Sequence, residues 1–127
     1  MTPFGARLRE LRAARGMTLS ALATRLAVSP AYLSALEHGR RGTPSLGLVH
    51  QICEAFDLIW DDAEALARLA RLSRPRPRLN AAGLTPEQTA LANRFAETLP
   101  HLPPETIAAI QTLIETARPT KPSRQRP

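Results

Sequence analysis

At 127 residues the chain has room for one compact domain, or a small domain with an appendage, and its 43% hydrophobic content with only 4% aromatics points to a core of close-packed Leu, Ile, Val and Ala helices. The net charge of +6 favours a polyanionic partner, nucleic acid being the commonest, although a merely solvated basic surface fits the same composition. A single cysteine, Cys53, excludes a disulfide framework and a Cys-based zinc site; His38, His50 and His101 lack ligand spacing, so no metal or cofactor is expected; and no apolar run approaches the ~18 residues of a membrane span.

The first helix is expected over Pro3 to Arg15, with Phe4, Leu8 and Leu11 at helical spacing, Pro3 in the first turn and Gly16 at the stop. Thr18 caps a short second helix ending at Leu26, with Leu19, Leu22, Ala23 and Leu26 turned inward. Ser29 caps a third helix, Pro30 takes its first position, and Gly39 ends it. After the loop GRRGTP, Ser45 caps a fourth helix with Leu46, Val49, Ile52, Cys53 and Phe56 on one face. That stripe makes Cys53 a core residue rather than a reactive thiol. Asp61 or Asp62 starts a fifth helix carrying Leu66, Leu69 and Leu72, and Ile59 and Trp60 are expected to pack where the fourth and fifth helices meet. Pro75 and Pro77 then break the helical pattern, so residues 73–83 read as an extended linker.

A second helical segment follows at 84–117. Thr85-Pro86-Glu87-Gln88 has the form of a capping box and opens a helix with Leu91, Phe95 and Leu99; Pro103-Pro104 opens a last helix with Ile107, Ile110, Leu113 and Ile114. The tail 118–127, rich in Pro and Arg, is expected to lack fixed structure. Charge follows these divisions. Residues 1–45 set Arg7, Arg9, Arg12, Arg15, Arg25, Arg40 and Arg41 against Glu10 and Glu37, whereas 50–72 and 81–117 are net acidic and the linker and tail are purely basic. Lys121 is the only lysine, a bias that a GC-rich genome explains better than a functional preference for the guanidinium. The Arg-rich amphipathic N-terminus resembles a transit peptide in composition, but it runs into the helical pattern without a boundary; with one cysteine and no signal-peptide core, a reducing cytoplasmic setting is expected.

The stretch TLSALATRLAVSPAYLSALEHG has the layout of two helices crossing through a tight turn. Ala23 must be small where the second helix passes over it; Leu22, Leu26, Val28, Leu33 and Leu36 supply the shared core; Ala27 occupies the turn, where glycine is often preferred. Together with the opening FGARLRELRAARG and the later PSLGLVHQICEAF, this stretch makes residues 4–58 similar to the Xre/Cro/phage C1-repressor family of helix-turn-helix proteins. The resemblance implies an all-α fold, a five-helix lambda-repressor-like DNA-binding domain over 1–72 plus a small C-terminal helical pair, with dimeric binding to double-stranded DNA and transcriptional control from the nucleoid.

Carried onto this chain, the resemblance makes Ser29 to Glu37 the recognition helix, with Ser29, Pro30, Ala31, Tyr32, Ser34 and Ala35 at the reading positions. Arg40 and Arg41 match a phosphate-contacting loop, Ser45 opens a helix whose exposed amides suit a phosphate, and Arg12 with Glu37 matches a structural ion pair. Two departures bear on function. Leu19 stands where an amide side chain often helps hold a phosphate. The reading positions are short and mostly apolar, with none able to make a bidentate contact to a base edge. Selectivity is therefore expected to come in large part from groove shape and half-site spacing, with Arg74, Arg76 and Arg78 as candidate minor-groove arms or as a solvated linker. Tyr32 is left between packing on a neighbouring helix and touching a phosphate.

The two short C-terminal helices cannot bury a core alone, so 84–117 is expected to pair with a second copy, to engage another protein, or to cap the first domain. No enzymatic activity is expected. Paired carboxylates, a phosphate-cradling Gly loop and the Ser–Lys pair of self-cleaving repressors are missing from the pattern. A dimeric repressor is the leading reading; the antitoxin of a toxin–antitoxin pair, holding its toxin through 84–117 and autoregulating its operon, is the alternative. A DNA-free adaptor is a third, against which the basic loop argues.

Overall fold

The computed structural model describes residues 1–117, so the tail expected at 118–127 lies outside the described residues. These residues form seven α-helices and no strand: α1 (Pro3–Ala14), α2 (Leu19–Leu26), α3 (Pro30–Glu37), α4 (Leu46–Ala55), α5 (Asp61–Arg71), α6 (Pro86–Thr98) and α7 (Pro104–Thr116), with a 3₁₀ turn at Leu99–His101 between the last two. The chain divides into two units, with the boundary between Arg78 and Leu79. No single helix is long and apolar enough to cross a membrane among the described residues.

Helix starts follow side-chain chemistry. Thr2, Thr18, Ser29, Ser45 and Thr85 each accept a hydrogen bond from the backbone N–H three residues on, at Gly5, Ala21, Tyr32, Leu48 and Gln88. Each such cap is worth about 1 kcal/mol because it satisfies an amide with no partner inside its helix. At Thr85 the bond is reciprocated by the Gln88 side chain, completing the capping box. Helix α5 starts differently. Its N-cap, Trp60, makes no side-chain bond, and Asp61, Asp62 and Glu64 in the first turn answer the positive end of the helix dipole instead.

The core of the first unit gathers Phe4 and Leu8 from α1, Leu22, Ala23 and Leu26 from α2, Leu33 and Leu36 from α3, Val49, Ile52 and Cys53 from α4, and Leu66 and Ala70 from α5. Burying each large aliphatic side chain contributes roughly 1.5–3 kcal/mol. Burial also pushes the Cys53 thiol pKa up, keeping it protonated. Helix α1 packs on both α3 and α5, α2 on α3 and α4, and α4 on α5. Two polar devices fasten this arrangement. Ser73 is buried, accepts the N–H of Phe4 at 2.9 Å and donates to the Leu69 carbonyl at 2.7 Å, tying the end of α5 to the start of α1. Arg15 reaches from the end of α1 to donate to the Ala55 and Phe56 carbonyls at 3.1 and 3.0 Å, satisfying the C-terminus of α4, and lies over the Phe56 ring.

The structure departs from the sequence pattern in three places. Ile59 and Trp60 do not pack between α4 and α5; Trp60 is 84% exposed with φ at +52°, and the partly buried Leu58 contributes to the contact instead. Leu46 is 78% exposed, since the face of α4 turned to the core carries Leu48, Val49, Ile52 and Cys53. Leu72, just beyond α5, is exposed, and Ala70 takes the buried position.

Gly5 sits where α1 crosses the end of α3. A Cβ built there would lie 2.0 Å from the Glu37 carbonyl oxygen, a backbone atom that cannot swing aside. Gly5→Ala should therefore destabilise the first unit by about 3 kcal/mol, the upper range for forced overpacking. Thermal denaturation followed by circular dichroism should show a Tm drop of about 10 °C or more; a Tm unchanged from wild type would mean that the two helices do not approach this closely.

Candidate nucleic-acid interface

Helices α2 and α3 meet at 109°, within the range of a helix-turn-helix. The turn is made by Ala27 in the left-handed region (φ 59°, ψ 40°), whose N–H returns to the Ala23 and Thr24 carbonyls, while the Val28 N–H bonds the Ala23 carbonyl at 3.0 Å. Such a conformation costs an L-residue about 1 kcal/mol. It is held because Leu22, Ala23 and Leu26 before it, and Leu33 and Leu36 after it, are buried in one cluster.

The outward side of α3 carries the candidate reading positions. Ser29, Pro30 and Ala31 are exposed; Tyr32, Ser34 and Ala35 are half-buried. Val28, Ser29 and Tyr32 border an open depression of about 670 Å³, completed by Arg41, Ser45, Gly47, Leu48 and Gln51. Of the positions picked from sequence, the fold thus brings Ser29, Tyr32, Arg41 and Ser45 to one surface. Pro30, Ala31, Ser34 and Ala35 lie outside that depression, and Arg40 is exposed on the adjoining loop. Gly47 and Gln51 also line the depression, although the helix-turn-helix pattern does not mark them. Their signal is the spacing of α4: both lie within two turns of its Ser45 cap. Leu19, in place of a polar residue, is half-buried and packs against the core. Arg41 places its guanidinium over the Tyr32 ring, 5.6 Å from the centroid.

Ion pairing sorts the arginines. Glu37 is buried, and its carboxylate takes Arg12 at 3.2 Å and Arg9 at 3.7 Å. Arg7 pairs with Glu10, and Arg15 with Asp57. Among the described residues of the first 45, Arg25, Arg40 and Arg41 have no carboxylate within ion-pair reach. Two of these three stand beside the exposed face of α3. Within residues 1–45, guanidiniums without a carboxylate partner therefore lie on α2 (Arg25) and in the loop after α3 (Arg40 and Arg41), not on α1.

A sequence profile of the helix-turn-helix domain matches residues 3–66. The chain belongs to this helix-turn-helix family. That agrees with the resemblance to Xre-type regulators carried by residues 4–58, and the all-helical architecture agrees with the expected fold class. Among curated relatives, the chain is 37% identical over 67 residues to an uncharacterized HTH-type transcriptional regulator, RghRB, of Bacillus subtilis, a match covering 53% of this chain and 48% of that protein. It is 38% identical over 61 residues to the HTH-type transcriptional repressor RghR of the same organism (48% of this chain, 45% of RghR). It is 39% identical over 83 residues to the transcriptional regulator ClgR of Mycobacterium tuberculosis (61% of this chain, 73% of ClgR). The chain spans about half the length of the two Bacillus relatives. No solved structure matches it.

The buried carboxylate of Glu37 yields a stability contrast. Glu37→Ala leaves the largely buried Arg12 guanidinium unpaired and should cost about 3 kcal/mol, whereas Glu10→Ala, which removes an exposed pair, should fall within about 0.5 kcal/mol of wild type. Urea denaturation of both variants checks this; equal losses would show that the Glu37 pair has no more structural weight than a surface pair.

Proposed function

We propose that this chain binds double-stranded DNA sequence-selectively, with α3 in the major groove, and regulates transcription as a homodimeric repressor. The observation that carries the reading is the junction of the exposed α3 face with two arginines that have no internal carboxylate, beside the Ser45-capped start of α4. Amides at a helix start and guanidinium forks are the groups that hold phosphates, and they orient a helix in the groove. Regulation is supported by the relatives being transcriptional regulators, and its negative sign by RghR being a repressor; a dimer occupying a promoter excludes polymerase without further machinery. A cytoplasmic, nucleoid-associated location follows from the same reading. Because α3 offers two serines, two alanines and a proline to the bases, selectivity in this reading rests largely on groove shape and half-site spacing, with Arg74, Arg76 and Arg78 as candidate minor-groove contacts.

Genome-wide mapping of bound sites, followed by titration on a recovered site and on random duplex at several salt concentrations, tests this reading. A specificity ratio of ~10³ or more and a steep loss of affinity with salt are expected. Arg40→Ala and Arg41→Ala should each weaken binding to all sequences and reduce the salt slope by about 1. Equal binding to all duplexes with no enriched site would remove the regulator reading.

The second unit supports the dimer. Among its described residues α6 and α7 bury none, leaving Leu91, Phe95, Leu113 and Ile114 exposed, the last two at 67% and 68%. In this reading a second copy covers these faces, placing two α3 helices for a palindromic site. The same faces also suit a toxin, which keeps the antitoxin reading in play. Sedimentation of the purified full chain should give a dimer, and Leu113→Asp with Ile114→Asp should give a monomer with unchanged helicity. A monomeric wild type that co-purifies with a small protein encoded next door would favour the antitoxin.

A further inference from the structure

We propose that Tyr32 is a positioning residue for DNA backbone contact: its ring holds the Arg41 guanidinium by its face and leaves the fork of N–H groups turned outward for a phosphate. The inference rests on the DNA-binding reading above and gives that site a part that the family resemblance did not assign.

The two residues come from different elements. Tyr32 is the third residue of α3, where the Ser29 hydroxyl takes its backbone N–H at 3.0 Å, and its half-buried ring packs against the hydrophobic core. Its position is therefore set by the fold. Arg41 is exposed in the loop before α4, flanked by Gly39 and Gly42, both in the left-handed region with φ at +80° and +76°. A long side chain on such a loop has many rotamers, and ordering it on binding costs affinity. No carboxylate lies within ion-pair reach of it among the described residues. The contact that does restrain it is the Tyr32 ring, with the guanidinium carbon 5.6 Å from the centroid.

The chemistry of the pair fits anion capture. A guanidinium is planar, so stacking occupies its face while the edge that pairs bidentately with phosphate oxygens stays free. An ion pair with a carboxylate would use up that edge. Both residues border the depression that Ser29, Ser45 and Gly47 complete, which places the pair beside the starts of α3 and α4. Arg40, the preceding residue, has no aromatic partner among the described residues. Restraining Arg41 through α3 also makes the loop contact and the reading helix one unit. A phosphate held by Arg41 then fixes how α3 lies in the groove, which matters most when the α3 side chains are short.

The test uses the full chain and two labelled 24-base-pair duplexes, one enriched by in vitro selection on the wild type and one of random sequence. Tyr32→Phe keeps the ring and should bind both as wild type does. Tyr32→Leu keeps apolar packing but removes the ring, and should lose about three- to fivefold on both, the scale of an exposed cation–π contact. Arg41→Lys should lose at least as much. Tyr32→Leu in the Arg41→Ala background should cost nothing further; circular dichroism and a thermal melt confirm that each variant is folded at the assay temperature. An equal Tyr32→Leu loss in the presence and absence of Arg41 overturns the proposal, as does a Tyr32→Phe loss matching Tyr32→Leu, which would assign the hydroxyl a direct contact. Full affinity of Tyr32→Leu alongside weakened Arg41→Ala overturns the positioning role and leaves DNA binding standing. A wild type that binds neither duplex overturns both.

Discussion

Glu37 holds the molecule's candidate interface in place. The residue is 1% exposed, and three of its parts are engaged with α1 and its Thr2 cap at once. Its carboxylate receives Arg12 and Arg9; its carbonyl oxygen accepts both the N–H and the hydroxyl of Thr2, at 3.2 and 3.3 Å; and its backbone lies so close to Gly5 that only a glycine fits there. A buried carboxylate is costly unless its hydrogen-bonding capacity is filled, so the geometry at the end of α3 has little slack. Because α3 is only eight residues long, fixing its last residue fixes the line of its exposed face. The Ser29 cap and the Ala27 turn fix the other end through α2. The candidate reading helix is thus held at both ends by groups that need not touch a ligand.

The same interaction governs how charge is distributed. An Arg-rich sequence suggests a basic surface, yet Arg9 and Arg12 answer Glu37, Arg7 answers Glu10, and Arg15 closes the end of α4 while pairing with Asp57. What is left near α3 is Arg40 and Arg41. Net charge alone therefore overstates how many guanidinium edges α1 offers to an external anion. Long-range attraction to a polyanion reflects the total charge, but contact depends on which guanidinium edges remain free.

Much of this was legible in the sequence, for physical reasons that can be named. Thr18, Ser29, Ser45 and Thr85 mark helix starts because a short hydroxyl side chain reaches the amide three residues on, a relation local in sequence. The positions of Leu22, Ala23, Leu33 and Leu36 follow from helical periodicity. Gly5 was not legible as a contact, since its role is set by a backbone oxygen 32 positions away. Arg15 and Ser73 were missed for the same reason: each satisfies polar groups of a distant helix end. Ile59, Trp60 and Leu46 were misplaced because hydrophobicity states a preference for burial but not whether a neighbouring surface exists to provide it. Gly47 and Gln51 entered the candidate site only once the folded α4 set them beside α3.

These constraints bear on how a helix with few hydrogen-bonding side chains discriminates at all. A long arginine or glutamine at a reading position tolerates some error in docking, because its rotamers adapt. Ser34 and Ala35 are half-buried on α3 and have no such reach. On the proposed reading, any contact they make with a base edge requires the helix itself to lie in the correct place, to within the length of a methyl group or a hydroxyl. The anchoring of Glu37, the Ser29 cap and the Tyr32–Arg41 contact then form part of selectivity rather than a neutral scaffold. DNA whose groove width or bend did not meet α3 and the Arg41 edge together would lose one set of contacts to keep the other. Rigid presentation of short side chains converts shape recognition into sequence preference.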